Sequence, residues 1–165
     1  MLEKKTLTLD EALIGLNAMR TEVAKNPNRP MCLAVSDDRG DVICFYRMDG
    51  ATDFLREMVF KKCFSAAQLG DNTRASREAM RSEGMTIGGD FNHSFATTVP
   101  GGVVIVPPGT ERDEIGTAEK GPRMARGQVG ACAAGGRWSM EDERIAKVGV
   151  LAIQKKLWPE AFKRK

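Results

Sequence analysis

The chain has 165 residues, 42% hydrophobic and 28% charged, with a formal net charge of +3. That is enough chain to bury one continuous core, and the balance excludes a disordered tail protein or a collagen-like repeat. No apolar run approaches the roughly 20 residues that cross a bilayer, and MLEKKTLTLDEA lacks the build of a signal peptide, so one domain over residues 1–165, cytoplasmic and without a membrane partner, is expected.

Thr8 and Glu11 form a TxxE capping box, and Leu9, Ala12, Leu13, Leu16, Met19 and Val23 recur at helical spacing, which predicts a helix from Leu9 to about Lys25. Asn26-Pro27-Asn28-Arg29-Pro30 breaks it. MCLAVS and VICFYRM around DDRGD read as a hairpin. Asp49-Gly50 ends the second strand, and Phe54, Leu55, Met58, Val59, Cys63, Ala66 and Ala67 make a long apolar helix ending near Gly70. A shorter helix, Thr73 to Ser82, is polar on most sides and is expected to lie over the surface. From Gly84 onward glycines punctuate short β-like runs, of which VVIVP and QVGACAA are the strands. The charged stretch between them, Gly109 to Arg126, is too long for a hairpin turn and reads as a projecting loop. Ser139 is the expected cap of a last helix carrying Asp142 in its first turn and Ile145, Val148, Leu151 and Ala152 on one face. The order α-β-β-α-α-β-β-(β)-α predicts an α+β fold, a central, mainly antiparallel sheet flanked by helices.

The basic excess is local. Lys155, Lys156, Lys163, Arg164 and Lys165 against Glu160 leave +4 in residues 155–165 and −1 over the rest, a solvated helix end rather than a nucleic-acid surface. Cys32, Cys44, Cys63 and Cys132 lie in apolar contexts with no CxxC, so buried free thiols are expected rather than a zinc cluster or a redox pair.

Three stretches, LTLDEAL, YRMDGA and the glycine-rich strands leading to an acidic helix start and IAKVG, resemble the GlcG/HbpS-like haem-binding family, which includes the C-terminal domains of PduO-type proteins. The matching pieces are Thr8 to Leu13, Arg47 to Ala51, Pro100 to Ile105 and Gly130 to Gly149. The resemblance implies an antiparallel sheet flanked by helices, homo-oligomers from dimer to octamer, and haem or a related tetrapyrrole as the only cofactor. The chain departs from the family in the long 109–126 loop and in Ala133-Ala134-Gly135-Gly136-Arg137-Trp138, where typical members have SGG.

His93, the only histidine, suits an axial iron ligand or a general base; either role follows from the imidazole rather than from the resemblance. Gly101-Gly102 and Gly135-Gly136 read either as tight turns or as places where backbone amides gather around a carboxylate such as a haem propionate, the second pair just before a helix N-terminus. Arg47, Arg123, Arg126 and Arg137 are candidate carboxylate clamps, with Asp49 beside Arg47; solvated arginines and a plain Asp-Gly turn are the competing readings. Tyr46, the only tyrosine, is a further iron donor of unknown orientation. Glu111 and Glu114 read as a solvated acidic loop rather than an iron site, and Met48, Met58, Met80 and Met85 as packing. No multi-histidine metal site is available.

Two functions follow from these residues. One is a protein that binds a small anionic ligand, haem or a related tetrapyrrole. The alternative is a cofactor-independent enzyme of lyase, isomerase or hydrolase type acting on a small organic acid, with His93 moving the proton.

Overall fold

A computed structural model describes residues 6–90, 92–110 and 127–163. Among these residues four strands form one antiparallel sheet in the order β2-β1-β4-β3: β1 (Cys32–Asp37), β2 (Val42–Arg47), β3 (Gly102–Ile105) and β4 (Gly130–Gly135). Helices α1 (Leu9–Val23) and α4 (Ser139–Leu157) cover one face and α2 (Asp53–Leu69) the other, with α3 (Thr73–Ser82) following α2 at the β3 edge. This is the α+β arrangement expected from the element order. Among the described residues no helix is long and apolar enough to cross a membrane.

Local chemistry accounts for the ends of the elements. The capping box forms as read: Thr8 accepts the Glu11 amide at 3.3 Å and Glu11 accepts the Thr8 amide at 2.9 Å. α2 stops at Gly70, whose φ of +64° suits a left-handed helix cap. The last helix begins differently from the sequence reading. Its cap is Trp138, which makes no side-chain cap hydrogen bond, Ser139 is already helical, and Asp142 reaches back to accept the amide of Arg137 at 3.0 Å, so the side chain that serves this helix start comes from within the helix.

The alternation of side chains along β1 and β4 divides the core between the two faces. Leu33, Val35, Cys132 and Ala134 face α1 and α4 and meet Leu16, Met19, Ile145 and Ile153. Cys32, Ala34 and Ala133 face α2 and meet Val59 and Cys63, with Phe45 and Phe60 edge to face at 5.1 Å. All four cysteines are free; three are buried and Cys44 is half-buried. α1 and α4 pack closely because of Gly15, where an added Cβ would lie 2.5 Å from Ile153 Cδ1.

The β3 edge is closed by side chains. Asn72 Oδ1 accepts the Val104 amide at 3.1 Å, and Thr73 Oγ1 accepts the Gly102 amide at 3.1 Å. Asn72 is the α3 cap residue, yet its side chain serves the strand and not its own helix. This fixes the start of α3 against the sheet and removes donors that another chain would otherwise find.

Candidate functional site

The strand register gathers the glycine candidates at one end of the sheet. Cys32 pairs with both Arg47 and Gly135, and Gly102 pairs with Ala133, so Arg47, Gly101, Gly102, Gly135 and Gly136 share that end, next to the starts of α2 and α4. What they surround is an ion pair. Lys62 of α2 donates to the Ala134 carbonyl at 2.8 Å and to Asp142 Oδ2 of α4 at 3.0 Å, with side chains only 3% and 5% exposed. An added Cβ at Gly101 would lie 2.8 Å from Lys62 Nζ and 2.9 Å from Asp142 Cβ. The glycines thus form a notch through which the pair joins the helical layers on opposite faces.

The amides of Arg137 and Gly136 donate to the Asp142 carboxylate, so the anion held at this helix start is one the chain carries itself. Burial pushes Asp142 above the ordinary carboxylate range, offset in part by Lys62, and burial pulls Lys62 below the ordinary lysine value. Signals for this pair were present in the sequence: Lys62 interrupts the apolar stripe of Val59, Cys63 and Ala66 at helical spacing, where a lysine needs a partner.

The other candidates are dispersed. Arg47 is half-exposed and faces Asp53 at 3.4 Å; Asp49 is exposed in a turn closed by the Ala51 amide on the Met48 carbonyl. The Arg137 side chain is buried, pairs with Glu141 at 2.9 Å and donates to the carbonyls of Val23 and Asn26 at the end of α1. Tyr46 lies beneath the Arg20 guanidinium at 4.9 Å, in an open groove of about 440 Å³ shared with Asn17, Thr21 and Ala24. Glu111, Glu114, Arg123 and Arg126 fall outside the described residues. His93 is exposed near Phe64, ring centroids 5.4 Å apart, and its Nδ1 accepts the amides of Phe95 and Ala96 at 3.3 and 3.1 Å. An Nδ1 that accepts two N–H groups carries no proton, so the neutral ring keeps its hydrogen on Nε2.

A second groove, about 290 Å³, lies where α3 meets the 85–99 segment. Arg77 and Arg81 stand along one side, Met80, Met85, Ile87 and Val99 supply apolar surface, and Thr86, Gly88 and Thr98 complete it. Arg77 is half-buried, and neither arginine has an ion-pair partner among the described residues. Arg74 of the same helix is paired: it holds the buried Glu143 of α4 at 2.9 Å and Glu78 at 3.1 Å. Arg74 and the Asn72–Thr73 contacts therefore fix α3, while the next two arginines line the groove. Sequence reading put α3 on the surface without a role, because its arginines look like any solvated helix face until the 85–99 segment folds beside them.

A family model described as haem degrading protein HbpS-like matches residues 7–117. The chain belongs to the HbpS-like family. Its fold matches protein ORFY of Klebsiella pneumoniae with a TM-score of 0.72 at 18% identity, covering 93% of this chain and 94% of that one. Crystal structures of HbpS match with a TM-score of 0.68 at 21% identity, covering 92% of each chain, and a double mutant of the Streptomyces reticuli protein matches at 0.69 and 20%, covering 92% and 89%. A PduOC:heme complex matches at 0.65 and 19%, covering 89% and 94%. At these identities the likeness is one of fold. No curated protein matches the chain.

Proposed function

We propose that this HbpS-like chain binds haem or a related anionic tetrapyrrole in the groove between α3 and the 85–99 segment. The observation that carries the reading is the pair Arg77 and Arg81, half-buried and exposed respectively, without ion-pair partners among the described residues and set along an apolar surface of methionine, isoleucine and valine. A tetrapyrrole with propionates has the matching chemistry, a flat apolar ring with carboxylates on one edge. The guanidinium groups suit those carboxylates through charge-assisted hydrogen bonds, and the thioethers and aliphatic side chains suit the ring. At about 290 Å³ the groove is at the small end for ligand sites, which favours a ligand inserted by one edge. No lining residue is acidic or a histidine, so the groove supports binding more than proton transfer.

The test is a titration of the purified chain with haemin, followed by absorbance. Saturable binding that weakens about tenfold or more in Arg77→Gln/Arg81→Gln is expected, the size of one lost charge-assisted bond. Binding that is non-saturable, or indifferent to both arginines, would remove the groove from the reading. Self-association belongs to the same reading: Phe54, Trp138 and Met140 are exposed apolar residues at the starts of α2 and α4. Light scattering of the wild-type chain and of Trp138→Ser tests it, and a monomeric wild type would sink it.

A further inference from the structure

We propose that the thioether of Met85 is the side chain by which this chain would hold the metal ion of a bound tetrapyrrole. The assignment rests on the groove reading above and follows from where the side chains that can ligate such an ion are placed.

Histidine, cysteine thiolate, methionine and tyrosine are the usual protein donors to haem iron. The sequence holds one histidine, one tyrosine, four cysteines and nine methionines. His93 meets two amide donors with Nδ1, and its remaining nitrogen carries the ring proton, so ligation through Nε2 would require giving up both hydrogen bonds. Tyr46 belongs to β2, at the sheet edge opposite β3 and α3, and its groove is lined by Asn17, Arg20, Thr21 and Ala24, without the methionine and branched aliphatic side chains of the α3 groove.

The cysteines fail on placement: Cys32, Cys63 and Cys132 are fully buried, and no cysteine lines the α3 groove. Burial also pushes the Cys63 thiol up to about 12, Cys44 to about 11 and Cys132 well above the ordinary thiol value, away from the thiolate that ligates. Cys32 is raised for the same reason and is fully buried.

Among the described methionines, Met19 and Met31 are fully enclosed, Met80 is 5% exposed, Met48 packs on the α1 side of the core, and Met140 projects from the first turn of α4. Met58 is half-buried on α2 and lines none of the grooves described above. Met85 is half-buried and lines the groove together with Arg77 and Arg81. It sits just beyond the α3 C-terminus, where its amide donates to the Met80 carbonyl at 2.8 Å, so its backbone is anchored while its side chain keeps three rotatable bonds. A soft, neutral sulfur beside two cations adds no charge to the groove, and so leaves the arginines available to carboxylates.

The experiment is haemin loading of the full-length chain, read by visible and near-infrared absorption and magnetic circular dichroism of the ferric form. Wild type is expected to show the weak far-red charge-transfer band of thioether ligation. Met85→Leu, which keeps the volume, is expected to lose that band while retaining affinity within about tenfold. Met85→His is expected to convert the spectrum to nitrogen ligation. Arg77→Gln/Arg81→Gln should weaken binding without changing the band. If binding depends on the arginines but the Met85→Leu spectrum matches wild type, this assignment falls and the groove reading stands; a spectrum altered by Tyr46→Phe or His93→Ala instead would move the donor to that residue. Absent binding, or binding that ignores the arginines, overturns both.

Discussion

Lys62 Nζ lies 3.0 Å from Asp142 Oδ2 through a notch that only glycines leave open, and this contact joins the helices on opposite faces of the sheet. Burial raises Asp142 above its ordinary 3.8 and lowers Lys62 below its ordinary 10.5. A raised carboxylate stabilises the fold fully below its unfolded pKa and loses that contribution as pH rises through its folded value. A lowered lysine stabilises it above 10.5 and loses that contribution as pH falls through its folded value. Both shifts disfavour the charged form of their own group, so the charged pair specifies geometry more than it adds stability. Lys62→Met alone, which strands the carboxylate, is expected to cost about 3–5 kcal/mol in urea unfolding. The double variant Lys62→Met/Asp142→Asn, which keeps an acceptor for the Arg137 amide, should recover most of it. A single variant as stable as wild type would show that the pair does not hold the layers together.

The notch itself is testable. Gly101 has φ +120°, and a Cβ there would lie 2.7 Å from the Ala134 carbonyl oxygen; a Cβ on Gly102 would collide with the Lys62 carbonyl. Gly101→Ala, through strain and overpacking, and Gly102→Ala, through overpacking alone, should each cost about 2–3 kcal/mol or more. Gly84→Ala, also at positive φ but with no neighbour within 4 Å, should cost about 1 kcal/mol. Equal losses at Gly101 and Gly84 would mean that backbone conformation alone, and not the crossing pair, sets the requirement at Gly101.

Arg137 ties the end of α1 to the start of α4 through the Val23 and Asn26 carbonyls and Glu141. Arg137→Met keeps much of the volume and removes these bonds, with an expected loss of about 2 kcal/mol. Haemin affinity should stay unchanged, because the side chain is buried away from the α3 groove. An affinity that fell as steeply as in the Arg77→Gln/Arg81→Gln variant would return Arg137 to the ligand site.

Acid should weaken the α1–α4 contact through Glu22. Hydrogen bonds from Lys25 and then Arg144 hold its pKa below the ordinary 4.5. A depressed carboxylate contributes above its unfolded value and loses the contribution as pH falls through the folded one, so the effect fades below about pH 4.5. The pair with Arg144 spans two helices but Arg144 is 56% exposed, which limits the loss to about 1 kcal/mol or less. Glu22→Gln should flatten that part of the acid limb in a stability–pH profile, and an unchanged profile would assign the acid sensitivity to other carboxylates.

Asn72→Ala leaves the Val104 amide without its side-chain acceptor and loosens α3 from the β3 edge. A loss of about 1–2 kcal/mol is expected. Faster amide exchange in α3 than in α2 would accompany it, whereas uniform exchange would mean that Arg74–Glu143 alone holds the helix.

The sequence by itself determined the elements, their order and several of their ends. Thr8 and Glu11, Asp49-Gly50 and Gly70 act within a few residues of themselves, so their chemistry is readable without a fold. The family pieces from Thr8 to Gly149 were readable for the same reason, being short patterns in order. Only the tertiary structure decided what the glycines surround and where the cations without ion-pair partners among the described residues lie. Asp142 meets Lys62 80 residues away, and Arg74 meets Glu143 69 residues away. Ser139 looked like a cap because nothing local shows that Asp142 reaches back to the Arg137 amide. Arg77 and Arg81 became a candidate site only when Met85 and Val99 folded beside them, since a charge on a helix says nothing about whether an apolar wall faces it.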